Sequence, residues 1–263
     1  MRSGNDMGDG SGLTFDIASR PIWSSDFATP SEWQVVRHSW WGLENLDIRD
    51  DPTGRFPRIL RVSYPAGSAS PTTHRQYGHP IGGTQFLAAC GLHPTDERHL
   101  RYYVRFAQNF QFARGGKLPG LCGGRVFAGG KVPDGTNGFS TRYMWREDGD
   151  GELYVYSPRC RRFGESIGRG TWRFTPGQWY CLEQHLVLNT PGVPDGRMRV
   201  WVDGRQVLDV TEMLFRTVPA LQIEAICFST FFGGRDPSWA SPVNTTADFG
   251  GFAQWNDPNR PES

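Results

Sequence analysis

Apolar and polar residues alternate along most of this chain with a period of two, the spacing of a strand with one face on a core. Leu100, Tyr102, Val104 and Phe106 alternate most regularly. Further strands are predicted over Arg58–Tyr64, ended by Pro65, over Gly83–Ala89, and over Trp179–Leu188 after Pro176-Gly177. Arg197–Val202 and Gln206–Val210 flank Asp203-Gly204, a strong hairpin signal. Gln222–Thr230 is mixed apolar and reads as a central strand, and Ala247–Trp255 closes the series. Leu13–Ile17 reads as a first strand, and Ser31–Val36 as a strand or a short helical turn. Asp50–Gly54 is a turn cluster, and Ala66–Ile81 a long loop rich in Pro, Ser, Thr and His. Many short strands with regular turn signals predict an all-β fold, a jelly-roll sandwich of two antiparallel sheets. No repeat or linker is visible. The expected organisation is one domain over 13–256, with a disordered tail at 1–12 and a polar tail at 257–263.

Composition agrees with that pattern. The 33 Gly and 19 Pro favour turns over helices, and 10 Trp with 17 Phe are strand-like usage. The net charge of +1 gives no global field for a polyanion, so attraction of an acidic partner must be local. It also argues against nucleic acid as a partner. No apolar run reaches the roughly 20 residues of a membrane span. The polar, Gly-rich start is not a signal peptide, so location is open, with secretion expected if a leader once preceded it. Five cysteines leave at least one free thiol; a Cys122–Cys160 bridge is conceivable but does not follow from spacing.

The stretch from Gly115 to Pro158 carries the candidate chemistry. Gly115–Leu121 reads as a Gly-rich loop holding Lys117. Gly138–Arg146 alternates as a strand, Asp148-Gly149 and Asp150-Gly151 favour a turn, and Gly151–Ser157 returns. Ser140 and Arg142 share one strand face, with Arg146 on the same alternation, and Tyr154 and Tyr156 share one face. A connection with an odd number of residues makes those two faces the same. Lysine, serine, arginine and two tyrosines then converge. Such a set suits proton abstraction beside a carboxylate, followed by elimination, the cations lowering a phenol's pKa. No carboxylate pair of the kind glycosidases use is present there.

Lys117–Leu121, Phe139–Arg146, Tyr154–Tyr156 and Ser229–Gly234 resemble, in order, signature blocks of polysaccharide lyase families fourteen and twenty, which hold alginate and glucuronan lyases on a β-jelly-roll. The resemblance runs from about Phe56 to Phe249. It implies β-elimination on a 4-linked uronic-acid polysaccharide, with 4,5-unsaturated uronate ends as product. It also implies catalytic roles for Lys117, Arg142, Tyr154 and Tyr156. Lys117 is a base or a substrate clamp; as a base it needs a depressed pKa from burial or from cations such as Arg142. Arg142 is expected to neutralise a uronate carboxylate through its planar fork. Which tyrosine is base and which acid stays open. Ser140, Gln85 and Arg146 are substrate-binding candidates, Arg146 otherwise simply exposed. Cys122 stands where the family pattern would have an aromatic.

His38, His74, His79, His93, His99 and His185 lack metal-ligand spacing. Asp148, Asp150 and Glu152 resemble the start of a calcium loop without its full spacing and read as turn residues. No cofactor and no catalytic metal are expected, with a structural Ca2+ left open. The expected partner is an acidic polysaccharide met by a monomer, without nucleic acid or membrane. The rival classes are a non-catalytic acidic-carbohydrate-binding jelly-roll and a glycoside hydrolase on a similar sandwich.

Overall fold

The computed structural model describes residues 20–234 and 236–256. The expected strand at Leu13–Ile17 and both expected tails lie outside the described residues. Fifteen strands are defined: β1 (Trp23–Ser25), β2 (Val35–Trp41), β3 (Leu46–Asp50), β4 (Arg58–Tyr64), β5 (Thr84–Ala88), β6 (Glu97–Phe106), β7 (Gly115–Gly124), β8 (Gly138–Arg146), β9 (Gly151–Tyr156), β10 (Glu165–Ile167), β11 (Trp179–Val187), β12 (Gly196–Val202), β13 (Arg205–Met213), β14 (Ala225–Phe232) and β15 (Thr245–Trp255). They form two antiparallel sheets. One runs β13-β12-β11-β6-β15-β4-β3, with β1 also paired to β15; the other runs β10-β9-β8-β7-β14-β5-β2. The jelly-roll sandwich read from the alternation is therefore the fold.

The core lies between the sheets. Leu100, Tyr102, Val104 and Phe106 of β6 and Phe249 of β15 meet Phe228 and Phe232 of β14 and Tyr143 and Trp145 of β8. Phe228 stacks on Phe86 within its own sheet at 4.7 Å, and aromatic edges interlock across the gap: Phe228 lies 5.1 Å from Phe249, and Trp145 lies 5.5 Å from Phe106. Those contacts add to area burial, because edge-to-face rings attract electrostatically.

Three sequence readings are corrected. Gly115–Leu121 is not a loop but most of β7, a central strand between β8 and β14. Its glycines serve close approach rather than turning: a Cβ on Gly116 would lie 2.0 Å from Trp145 Cζ2, and one on Gly120 2.1 Å from Thr141 O. Pro119, which cannot donate to a ladder, sits where the register with β8 shifts between Leu118 and Gly120. The long loop after β4 contains a helix, α1 (Pro71–Tyr77), started by Ser70 accepting from Thr73 N and stopped by Gly78 at φ 70°. Seven residues without apolar periodicity hid it. All five cysteines are free buried thiols, so the Cys122–Cys160 bridge is not formed.

Phe228→Ala removes a ring at the centre of this cluster and is expected to cost about 3–5 kcal/mol. Urea unfolding measures it; a loss under about 1 kcal/mol would mean that the sheets are not held together here.

Candidate active site

The site is built on the outward face of the seven-stranded sheet. β8 and β9 pair with Ser140 opposite Tyr156 and Arg142 opposite Tyr154. Trp145 pairs with Gly151, leaving 146–150 as a five-residue connection, the odd number that puts both side-chain sets on one face. Asp148 and Gly149 take positive φ there, 58° and 82°, which closes the turn. Phe139, Tyr143, Trp145, Leu153 and Val155 point into the core, so Ser140, Arg142, Met144, Glu152, Tyr154 and Tyr156 face outward. β7 adds Lys117, paired with Met144. β14 adds Ser229, and β5 adds Gln85 opposite it.

Lys117 is partly buried. Its Nζ lies 2.7 Å from Met144 Sδ and 3.6 Å from the centroid of the Tyr154 ring. Neither neighbour is an anion. Burial holds its pKa well below the usual lysine range, and the charges of Arg142 and Arg146 add to that, with Glu152 opposing. The ammonium is thus held less firmly than on an exposed lysine.

Arg142 departs from expectation. Its side chain is 1% exposed and has no carboxylate partner among the described residues. Its Nη1 donates to Ser229 Oγ at 3.3 Å and its Nη2 to Phe127 O at 3.2 Å, while buried Nε has no partner. The fork expected to grip a uronate is therefore occupied by the protein in this conformation. Ser229 Oγ in turn donates to Gln85 Oε1 at 3.0 Å, which links the guanidinium to the partly exposed amide of Gln85. Ser140 is fully buried and its Oγ is unpartnered.

Arg146 is not a free surface charge. It pairs with Glu152 at 2.6 Å and donates to Ser166 Oγ at 3.1 Å. Glu152, read from the sequence as a turn residue, is fully buried beneath the site, because its β9 position alternates with Leu153 on the outward side. The calcium-loop resemblance dissolves with it: Asp150 is turned to Arg173 at 2.9 Å. No group of three His, Cys, Asp or Glu among the described residues is placed to hold a metal.

The tyrosine rings stand edge to face, 5.6 Å apart. Burial pushes the Tyr154 phenol up and the adjacent Tyr156 adds to it, against the lowering by Arg146 and Arg142. The expectation that cations would bring this phenol down fails, because desolvation of a phenolate outweighs them. Tyr154 is suited to giving a proton, and Lys117 to taking one.

Two segments roof one end of this face. Phe127 closes over Arg142, and a Cβ on Gly164 would lie 2.6 Å from the Tyr154 ring and 2.9 Å from that of Tyr156. Gly130 lies against Phe163 of the other segment. Lys117, Tyr154, Gln85 and Arg146 remain partly exposed. The histidines stand apart. His99 and His185 lie on the far face of the other sheet, with Glu183 and Glu97. His74 and His79 donate to the backbone carbonyls of His79 and Gly67. The side chain of His38 lies outside the described residues. Sequence reading missed Met144, Glu152, Ser229 and Phe127. The first two carried a signal, the alternation with Arg142 and Tyr154; Phe127 carried none.

The chain has two lysines, Lys117 and Lys131. After 13C-methylation, NMR titration should show Lys117 losing its proton well below the usual lysine range, with Lys117→Met giving the assignment. Titration within or above that range would remove the electrostatic reading of this site.

The polysaccharide lyase 14 family model matches residues 53–252. No curated protein matches the chain. Among solved structures, the marine PL-14 alginate lyase from Aplysia kurodai is 29% identical, with a TM-score of 0.75 over 90% of this chain and 100% of that one. Alginate lyase Aly36B, a double mutant in complex with alginate tetrasaccharide, is 25% identical, with a TM-score of 0.69 over 82% and 85%. An endo-beta-1,4-glucuronan lyase from the fungus Trichoderma reesei, 12% identical, shares the fold with a TM-score of 0.61 over 92% of this chain and 100% of that one. With a family model spanning three quarters of its length and the outward-facing site in place, this chain belongs to polysaccharide lyase family 14.

Proposed function

We propose that the protein cleaves a 4-linked uronic-acid polysaccharide, of the alginate or polymannuronate and glucuronan type, by β-elimination through Lys117 and the tyrosine pair. The observation that carries this is Lys117, an amine without a carboxylate partner among the described residues, set 3.6 Å from a tyrosine ring and with a lowered pKa. Alginate and glucuronan lyases among its structural relatives support the substrate class.

In this reading the Lys117 amine takes the C5 proton. The C5–H electrons form the C4–C5 double bond as the C4–O bond breaks. The departing oxygen takes a proton from the phenol pair, and the partial exposure of Tyr154 supports that residue as donor. Loss of the C5 proton loads negative charge onto the substrate carboxylate. The Gln85–Ser229–Arg142 chain supplies a donor at one end and a fixed positive charge at the other, in a water-poor setting where both act strongly. Arg142 acts here through Gln85 and the field, and directly only if Phe127 withdraws.

The sign of the pH dependence follows. Protonation of Lys117 removes the base, so kcat/KM falls as pH drops through that group's lowered pKa, and the fall at high pH awaits ionisation of Tyr154 above the ordinary tyrosine range. Growth of ultraviolet absorbance from the unsaturated product is expected on at least one of polymannuronate, alginate and glucuronan; none on any polyuronate would sink the proposal. Lys117→Arg, which stays protonated, should lower kcat by roughly 10²–10⁴-fold, and Tyr154→Phe by a similar factor. Glu152→Gln removes a group that holds the Lys117 pKa up, so the acid limb of kcat/KM should move to lower pH. An acid limb unmoved by that change would detach Lys117 from the rate.

A further inference from the structure

At the unroofed end of the site, beyond Lys117, two guanidiniums meet a tryptophan. Trp239 stands on a short turn, Pro237–Trp239, whose capping Asp236 accepts from Ser238 N. Its indole is pressed on the backbone of β7 and of the residues after β14: a Cβ on Gly234 would lie 2.2 Å from the ring, and one on Gly115 3.4 Å from Cζ3. Arg114 Cζ lies 5.0 Å from the indole centroid, and its Nη1 donates to Ser238 Oγ at 2.7 Å. Arg146, cross-strand from Gly115, places its Cζ 5.9 Å from Trp239 and 5.6 Å from Tyr154. The group is thus continuous with the Lys117 site, since Gly115, against which Trp239 lies, is two residues or about 7 Å from Lys117 along β7.

The charges do not cancel. Arg146 is matched by Glu152, but Arg114 is exposed and has no carboxylate partner among the described residues. Its guanidinium is held in place by a hydroxyl and an aromatic ring, so little side-chain freedom is lost on binding an anion. An exposed, fixed arginine with no direct carboxylate partner among the described residues, linked to Asp236 through the Ser238 hydroxyl, offers a planar anion a place beside an ordered indole.

We propose that Arg114, Arg146 and Trp239 form a subsite that binds the carboxylate of a hexuronate unit next to the one cleaved. This rests on the polyuronate reading above and names where the polymer runs from Lys117: towards Trp239, away from the roof over Arg142. Arg114 carries the charge contact, and Trp239 fixes Arg114 and Arg146 and offers ring edge to the sugar.

Arg114→Gln, Trp239→Ala and Trp239→Phe test it on polymannuronate, with binding of a mannuronate hexamer to Lys117→Met protein measured by calorimetry. Arg114→Gln should raise KM and weaken hexamer binding roughly tenfold, the loss of one charge-assisted contact, with kcat within about twofold. It should also flatten the salt dependence of KM and change the lengths of the released products, which a purely structural role would not do. Trp239→Phe should fall between the wild type and Trp239→Ala. Unchanged KM, hexamer affinity and product lengths in Arg114→Gln overturn the subsite, as does a fall confined to kcat. Wild-type protein that cleaves no polyuronate overturns the functional reading instead, and the hexamer affinities of the Lys117→Met and Lys117→Met/Arg114→Gln proteins still decide the subsite.

Discussion

Three cations, Lys117, Arg142 and Arg146, are packed on one sheet face with a single buried carboxylate, Glu152, among them. Bringing like charges together out of water is costly, at several kcal/mol per ion before compensation. The protein meets that cost unevenly. Glu152 neutralises Arg146; Arg142 is met by two neutral oxygens and the Tyr156 ring; Lys117 is met by a thioether and the Tyr154 ring. The least compensated member is the one that can shed its proton, since a guanidinium cannot. The lowered pKa of the lysine is the consequence of that imbalance, and the proposed role of Lys117 as base rests on it.

The scaffold beneath explains how such a cluster is tolerated. β7, β8 and β14 are central strands whose inner faces bury Leu118, Leu121, Tyr143, Trp145, Phe228 and Phe232. Large aromatic burial on one side supports polar strain on the other, and strands hold the geometry more firmly than loops do. The glycines of β7 let the strand lie flat against Trp145 and Thr141, which sets Lys117 close against Met144 and the Tyr154 ring.

The roof divides the face into two environments. Over Arg142 and Tyr156, Phe127 and the segment around Gly164 exclude water and strengthen the field of the guanidinium. From Lys117 towards Trp239 the face is open, and there the cations are Arg146 and the exposed Arg114. A polyanion entering from the open side would meet ordered positive charge before it reaches the amine. With a net charge of +1, attraction of a polyanion has to come from local groups such as these.

Alternation made the sandwich readable: β4, β6, β11, β12 and β15 lie where the period of two places them, and the odd-length Asp-Gly connection was enough to put Arg142 and Tyr154 on one face. Those are local properties, set by backbone geometry within one or two strands. The family blocks added Lys117, which spacing alone would have left on a loop, because glycines used for close approach look like glycines used for turning. What only the tertiary structure decided is how deep each group lies and what faces it. Glu152 became the buried counter-ion, Arg142 was covered by Phe127 of the β7–β8 connection, and Tyr154 rose in pKa when cations alone would have lowered it. Burial depends on which segments fold over a face, and the energy of a charge depends on burial more than on its neighbours in sequence. The residue types were therefore legible along the chain, whereas their protonation states came from the packing.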